Sequence, residues 1–105
     1  MKLLDDELRQ KLPQLNSQEA ENDPFVHAKF FLPGTDTAWY VIEGQAAGDE
    51  FVFYGFVTQP VSQFEFGEFQ LSELEAIRGP HGARVERDPD FTPGKLTDVV
   101  PAPEL

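Results

Sequence analysis

The sequence predicts an α+β domain: a four-stranded antiparallel meander with a short N-terminal helix and a short helix after the fourth strand. Three observations carry this. Apolar residues in 3–12 recur with helical spacing. From Phe25 to Gln70 the spacing changes to alternation, interrupted by short turn segments. After Gln70 a helix start signal and a Gly-Pro stop enclose about two turns. A chain of 105 residues is expected to form one domain, 1–105.

Each element has its own reason. Leu4, Leu8 and Leu12 stand at i, i+4 and i+8 and predict a helix over 3–12. Acids in its first turn and bases near its end complement the helix dipole, and Pro13 ends it. Strands are expected at 25–32, 38–44, 50–58 and 63–70. Pro33-Gly34 with Asp36, Gly48-Asp49, and Pro60 with Ser62 supply the turns. Links this short favour antiparallel neighbours. In the first strand Val26, Ala28, Phe30 and Leu32 form one face, with His27 and Lys29 opposite. The third strand is apolar on both faces, as a central or doubly covered strand is. In the fourth, Phe69 breaks the alternation set by Phe64 and Phe66, and Gly67 between them suits a β-bulge. Ser72 with Glu75 reads as a capping box opening a helix over 72–78, which Gly79-Pro80 stops. Residues 83–87 allow a short strand. Residues 89–105, with Pro89, Pro93, Pro101 and Pro103, read as an extended tail.

Taken together, three runs resemble a known bacterial family: DPFVHAKFFLPGTDTAWYVIEG, FVFYGFV and FGEFQLSELEAIRGPHGARVERDPDF. The opening MKLLDDELRQKLPQLNSQE is similar to that family's usual start. The family is domain of unknown function 2958, and the resemblance covers nearly the whole chain. It implies a compact single domain, often encoded on plasmids, integrative elements or phage-like regions. It implies no activity and transfers no site residues.

Composition sets the partner classes. Nineteen acids against eight Lys and Arg give a net charge of -11. Such a chain repels nucleic acid and anionic membranes and attracts basic surfaces. The charge is concentrated: residues 25–70 hold six acids and one base, Lys29. The expected partner is therefore a protein with a basic surface, with no direct nucleic-acid binding and no membrane. The thirteen aromatic residues give no nucleic-acid platform without a positive groove to track phosphates. There is no cysteine, so no disulfide or Cys-based zinc site forms. No apolar run reads as a signal peptide or a membrane span, and a cytoplasmic location is expected.

Two residue sets are candidates for function. The first is the acids Asp36, Glu43, Asp49, Glu50, Glu65 and Glu68 on the aromatic-rich sheet. Trp39 or Phe31 would serve as an apolar anchor, since hot spots are commonly aromatic. With Phe25, these aromatics share the faces that carry His27, Lys29 and Glu43 and form the expected exposed patch. This set predicts a non-enzymatic interaction protein, a mobile-element-encoded inhibitor or nucleic-acid mimic acting on a basic host protein. The second set is His27 and Lys29 with Arg84 and Arg87, an alternative small-ligand or enzymatic site. Convergence of the four in one pocket is its test. Another alternative is an accessory subunit of a mobile-element complex. No catalytic residue, cofactor or metal is expected. The histidines are far apart, and the short acidic pairs lack the spacing of a calcium loop.

Overall fold

The computed structural model describes residues 2–18, 21–59 and 63–100. Asp5 opens helix α1 (Asp6–Lys11), its carboxylate accepting the Leu8 N–H at 2.8 Å. The helix is shorter than the expected 3–12, because Asp5 takes the cap position and Leu12 before Pro13 is already extended. Of the expected stripe, Leu8 and Leu12 are buried and Leu4 is only partly so, while Leu3, outside the stripe, is buried as well.

The strands are β1 (Phe25–Val26), β2 (Ala28–Phe31), β3 (Ala38–Ala47), β4 (Glu50–Gln59) and β5 (Gln63–Gln70). After them come α2 (Leu71–Ala76), a 3-10 turn (Pro80–Gly82), β6 (Glu86–Arg87), β7 (Gly94–Lys95) and α3 (Leu96–Val99). The main sheet is antiparallel and five-stranded, in the order β5-β4-β3-β2-β6. The meander of β2 to β5 matches the expectation, and β6 adds the fifth strand. A separate two-stranded sheet joins β1 to β7.

Several details differ from the sequence reading. The expected strand 25–32 is broken at His27. The His27 N–H still donates to the Val41 carbonyl at 2.8 Å, but β1 leaves the main sheet to pair with β7. The break puts Val26 in a different apolar cluster from Ala28, Phe30 and Leu32. No bulge forms at Gly67: β5 pairs with β4 in unbroken register, and Phe69 lies directly across from Phe53. The irregularity falls in β3 instead, where Ile42 is the extra residue between the pairs Val41↔Gly55 and Glu43↔Tyr54. Helix α2 is capped by Gln70, two residues before the expected cap Ser72. Glu73 accepts the Gln70 N–H at 2.9 Å, while Ser72 is drawn to Glu50. Part of the expected extended tail is folded: it supplies β7 and α3, and Leu96 and Val100 are buried. The expected Pro60–Ser62 turn and residues 101–105, with Pro101 and Pro103, lie outside the described residues.

Both sheet faces are covered, which explains the doubly apolar β4. On one face, Leu8 and Leu12 of α1 and its flank and Leu74 of α2 pack with Phe30, Phe53 and Phe69. The Phe53 ring stands edge-on to Phe30 at 5.4 Å and stacks on Phe69 at 5.6 Å. Each such fully buried ring contributes about 1.5–3 kcal/mol by removal from water. On the other face, Leu96 and Val100 close over Val26, Tyr40, Ile42 and Phe56.

Candidate functional site

The acids of the sheet do not form one uniform face. Glu43 is only 1% exposed. Its Oε1 accepts the Asn16 N–H and its Oε2 the Gln18 N–H, both at 2.7 Å. β2 pairs with β3 only as far as Val41, so the half of β3 beyond the bulge needs another neighbour. The loop after α1 takes that place: the Gly44 N–H donates to the Pro13 carbonyl, and Glu43 anchors the next turn. Glu43 therefore belongs to the scaffold and is withdrawn from the expected binding set.

The other five acids reach the surface at three places. Asp36 is exposed in the β2–β3 turn. Asp49 is exposed and Glu50 half-buried in the β3–β4 turn, at the other end of the hairpin. Glu50 accepts both the N–H and the O–H of Ser72, tying that turn to the start of α2. The Ser72 donors hold its carboxyl below the ordinary carboxylate range. Glu65 and Glu68 are exposed on the terminal strand β5.

Two further acids, Glu73 and Glu75, are exposed on α2, on either side of the buried Leu74. The signal for them is a gap in positive charge: between Lys29 and Arg78 there are eight acids and no Lys, Arg or His. The ion pairs among the described residues, Lys11–Glu7 at 2.9 Å and Arg87–Asp5 at 3.0 Å, join α1 to itself and to β6. None touches the β5–α2 edge.

The expected aromatic anchors move too. Trp39 is 7% exposed and packs in the helix-covered cluster, so it offers no anchor to a partner. Phe31 is half-buried against the cluster under α3. Phe25 is 44% exposed, with its ring edge-on to His27 at 4.9 Å. The exposed ring beside the acids is Phe66, at 48%. It stacks on Tyr54 at 6.2 Å and meets Phe56 edge-on at 5.0 Å. Glu68 lies directly across from Tyr54, on the same face.

The alternative basic site converges only in part. His27 and Arg87 line a cavity of about 210 Å³ between α1, the β1–β2 break and β6, together with Glu7, Lys11 and Asp88. Lys29 instead lies over the Tyr40 ring at 5.5 Å. Arg84 is exposed, bridged to Arg78. The two therefore do not join His27. Arg87 is paired with Asp5, whose carboxyl is held low by the Leu8 N–H and by that guanidinium. Among the described residues no group of three or more His, Asp and Glu is placed to hold a metal ion.

Burial, with the Lys11 ammonium adding to it, pushes the His27 imidazole below its ordinary value of 6.5. The unfolded chain then protonates His27 before the folded one does. Stability from this group is complete above about pH 6.5 and is lost as pH falls toward the folded value. Glu7, Asp88 and Arg87 line the same cavity. We expect the melting temperature to fall between pH 7 and pH 5, and His27→Gln to flatten that slope. One proton sets the limit, about 1.4 kcal/mol per pH unit. Equal slopes for the two proteins would rule out His27 as the source.

The chain matches the family described as Protein of unknown function (DUF2958) over residues 3–99. The chain belongs to this family. The matched span takes in α1, both sheets and α3. Comparison with curated proteins and with solved structures gives no match. Among the described residues of this DUF2958 protein, no helix is long and apolar enough to cross a membrane.

Proposed function

We propose that the protein is a non-enzymatic interaction protein whose β5–α2 edge binds a basic surface on another protein. The observation that carries this is the exposure of four acids, Glu65 and Glu68 on β5 and Glu73 and Glu75 on the helix that follows it, together with the exposed Phe66 ring. Uncompensated charge of one sign steers a partner of the other sign, and an aromatic ring beside it supplies contact area. Basic grooves built for nucleic acid are the partner surfaces that most reward such an array. The reading therefore extends to a nucleic-acid mimic, encoded on a mobile element, that inhibits a host nucleic-acid-binding protein. The same edge would serve an accessory subunit in a mobile-element complex.

Pulldown and titration against basic nucleic-acid-binding host proteins test the reading. Glu65→Gln, Glu68→Gln, Glu73→Gln and Glu75→Gln combined is expected to weaken binding about 30-fold, from roughly 0.5 kcal/mol per exposed charge. Affinity should also fall steeply as salt rises. Binding that persists unchanged at about 1 M salt, where screening is nearly complete, or in the fourfold variant, would sink the proposal.

A second reading rests on the His27–Arg87 cavity, as a small-ligand site without Lys29 and Arg84. It gains support if a ligand shifts the His27 and Arg87 resonances together, and fails if no small anion or zwitterion does so.

A further inference from the structure

We infer that the open edge of β5 receives an extended basic strand from the partner, enlarging the main sheet to six strands. This rests on the proposed interaction function and names the kind of segment it binds.

β5 is the terminal strand of the sheet, and among the described residues nothing pairs with its outer edge. Sheet edges are usually blunted by brevity, Pro, Lys or a bulge. The opposite edge follows that rule, because β6 has two residues. β5 does not. It runs for eight residues in unbroken register with β4 and contains no Pro and no Lys. Among the described residues its guards are the charges of Glu65 and Glu68. Those charges discriminate between occupants. A second copy of β5 would set one acidic edge against another, with carboxylate directly across from carboxylate wherever Glu65 or Glu68 meets its own counterpart, which is unfavourable. A strand bearing Lys or Arg would be attracted by the same groups.

The two faces of the strand define the visitor further. Phe66 and Glu68 share one face of β5, and Glu65 and Gly67 the other. An incoming apolar side chain opposite Phe66 would cover a ring now 48% exposed. Gly67 has no atom within 4 Å of where a Cβ would stand, so the residue opposite it is free to be large. Read antiparallel to β5, the complementary segment is basic opposite Glu68, any residue opposite Gly67, apolar opposite Phe66 and basic opposite Glu65. Its pattern is basic–any–apolar–basic, with alternate side chains on alternate faces.

The test uses the full chain and a capped synthetic peptide, TTKTVKTT, followed by amide NMR and hydrogen exchange. Saturable shifts centred on residues 65–70, with those amides exchanging about tenfold more slowly, are expected. Two further peptides carry N-methyl groups on alternate residues, each blocking the donors along one edge of the peptide. Strand pairing predicts that one loses at least tenfold in affinity while the other does not. If both bind like the parent, strand pairing is wrong and the charge-based reading stands. If the parent binds no better than its Lys-to-Glu counterpart, both fall. If residues 65–70 become protected without peptide as protein concentration rises, a second copy occupies the edge and the inference is overturned.

Discussion

Gly55→Ala is expected to destabilise the protein by about 3 kcal/mol or more, at the upper end of overpacking costs. A Cβ built on Gly55 would stand 2.0 Å from the Tyr40 carbonyl oxygen and 2.9 Å from its carbonyl carbon. Both atoms are backbone, in the central strand β3, next to the bulge at Ile42. No rotamer change relieves the clash, so β3 and β4 must separate where their ladder joins the two halves of the sheet. Against a total stability of about 5–15 kcal/mol, the loss is large. Gly67 provides the internal control. It pairs directly with Gly55, but a Cβ there meets nothing within 4 Å. Gly67→Ala should therefore lie within about 0.5 kcal/mol of wild type, as surface changes usually do. Urea unfolding of both variants decides the matter, and equal midpoints would refute the steric account.

The second large effect is at Glu43. Glu43→Ala is expected to cost about 2–4 kcal/mol. It removes two hydrogen bonds to a carboxylate, each worth roughly 1.5–3 kcal/mol, while Asn16 and Gln18, not being buried, regain water at their N–H groups. Glu43→Gln should cost less, since one oxygen still accepts while the amide NH2 faces a donor. Hydrogen exchange should quicken at Asn16 and Gln18 before it quickens in β4, because the loop is released first. A Glu43→Ala protein within about 0.5 kcal/mol of wild type would show that the loop is held by other contacts. Glu43→Gln should also leave partner binding unchanged, unlike the substitutions on β5 and α2.

The meander was legible because alternation in 38–59 is strong and the turns carry Gly, Pro and Asp. The helix stripe was legible for the same reason: Leu4, Leu8 and Leu12 repeat at one spacing. β6 lies within the short strand allowed at 83–87, though its place beside β2 was not legible, and β7 was not legible at all, because two-residue strands carry no period. α3 carried a faint signal, Leu96, Val99 and Val100 at i, i+3 and i+4, which the surrounding prolines masked. Of the candidate site, the acidic stretch was visible as a run without cations. The burial of Glu43 was foreshadowed by the apolar run Ala38–Ile42 before it. Trp39 and Phe66 exchanged roles because alternation tells which residues share a face but not which face is covered.

The α+β class, the antiparallel pairing of β2 to β5 and the acid excess over the sheet follow from periodicity, turn chemistry and charge, which are local properties. Only the tertiary structure decided that α1 and α2 cover one face and the C-terminal segment the other. Only it placed Glu43 inside and, among the described residues, left the outer edge of the acidic β5 unpaired. The physical reason is that exposure depends on which distant segment packs over a residue. That packing is set by the summed burial of whole faces, which no local window contains.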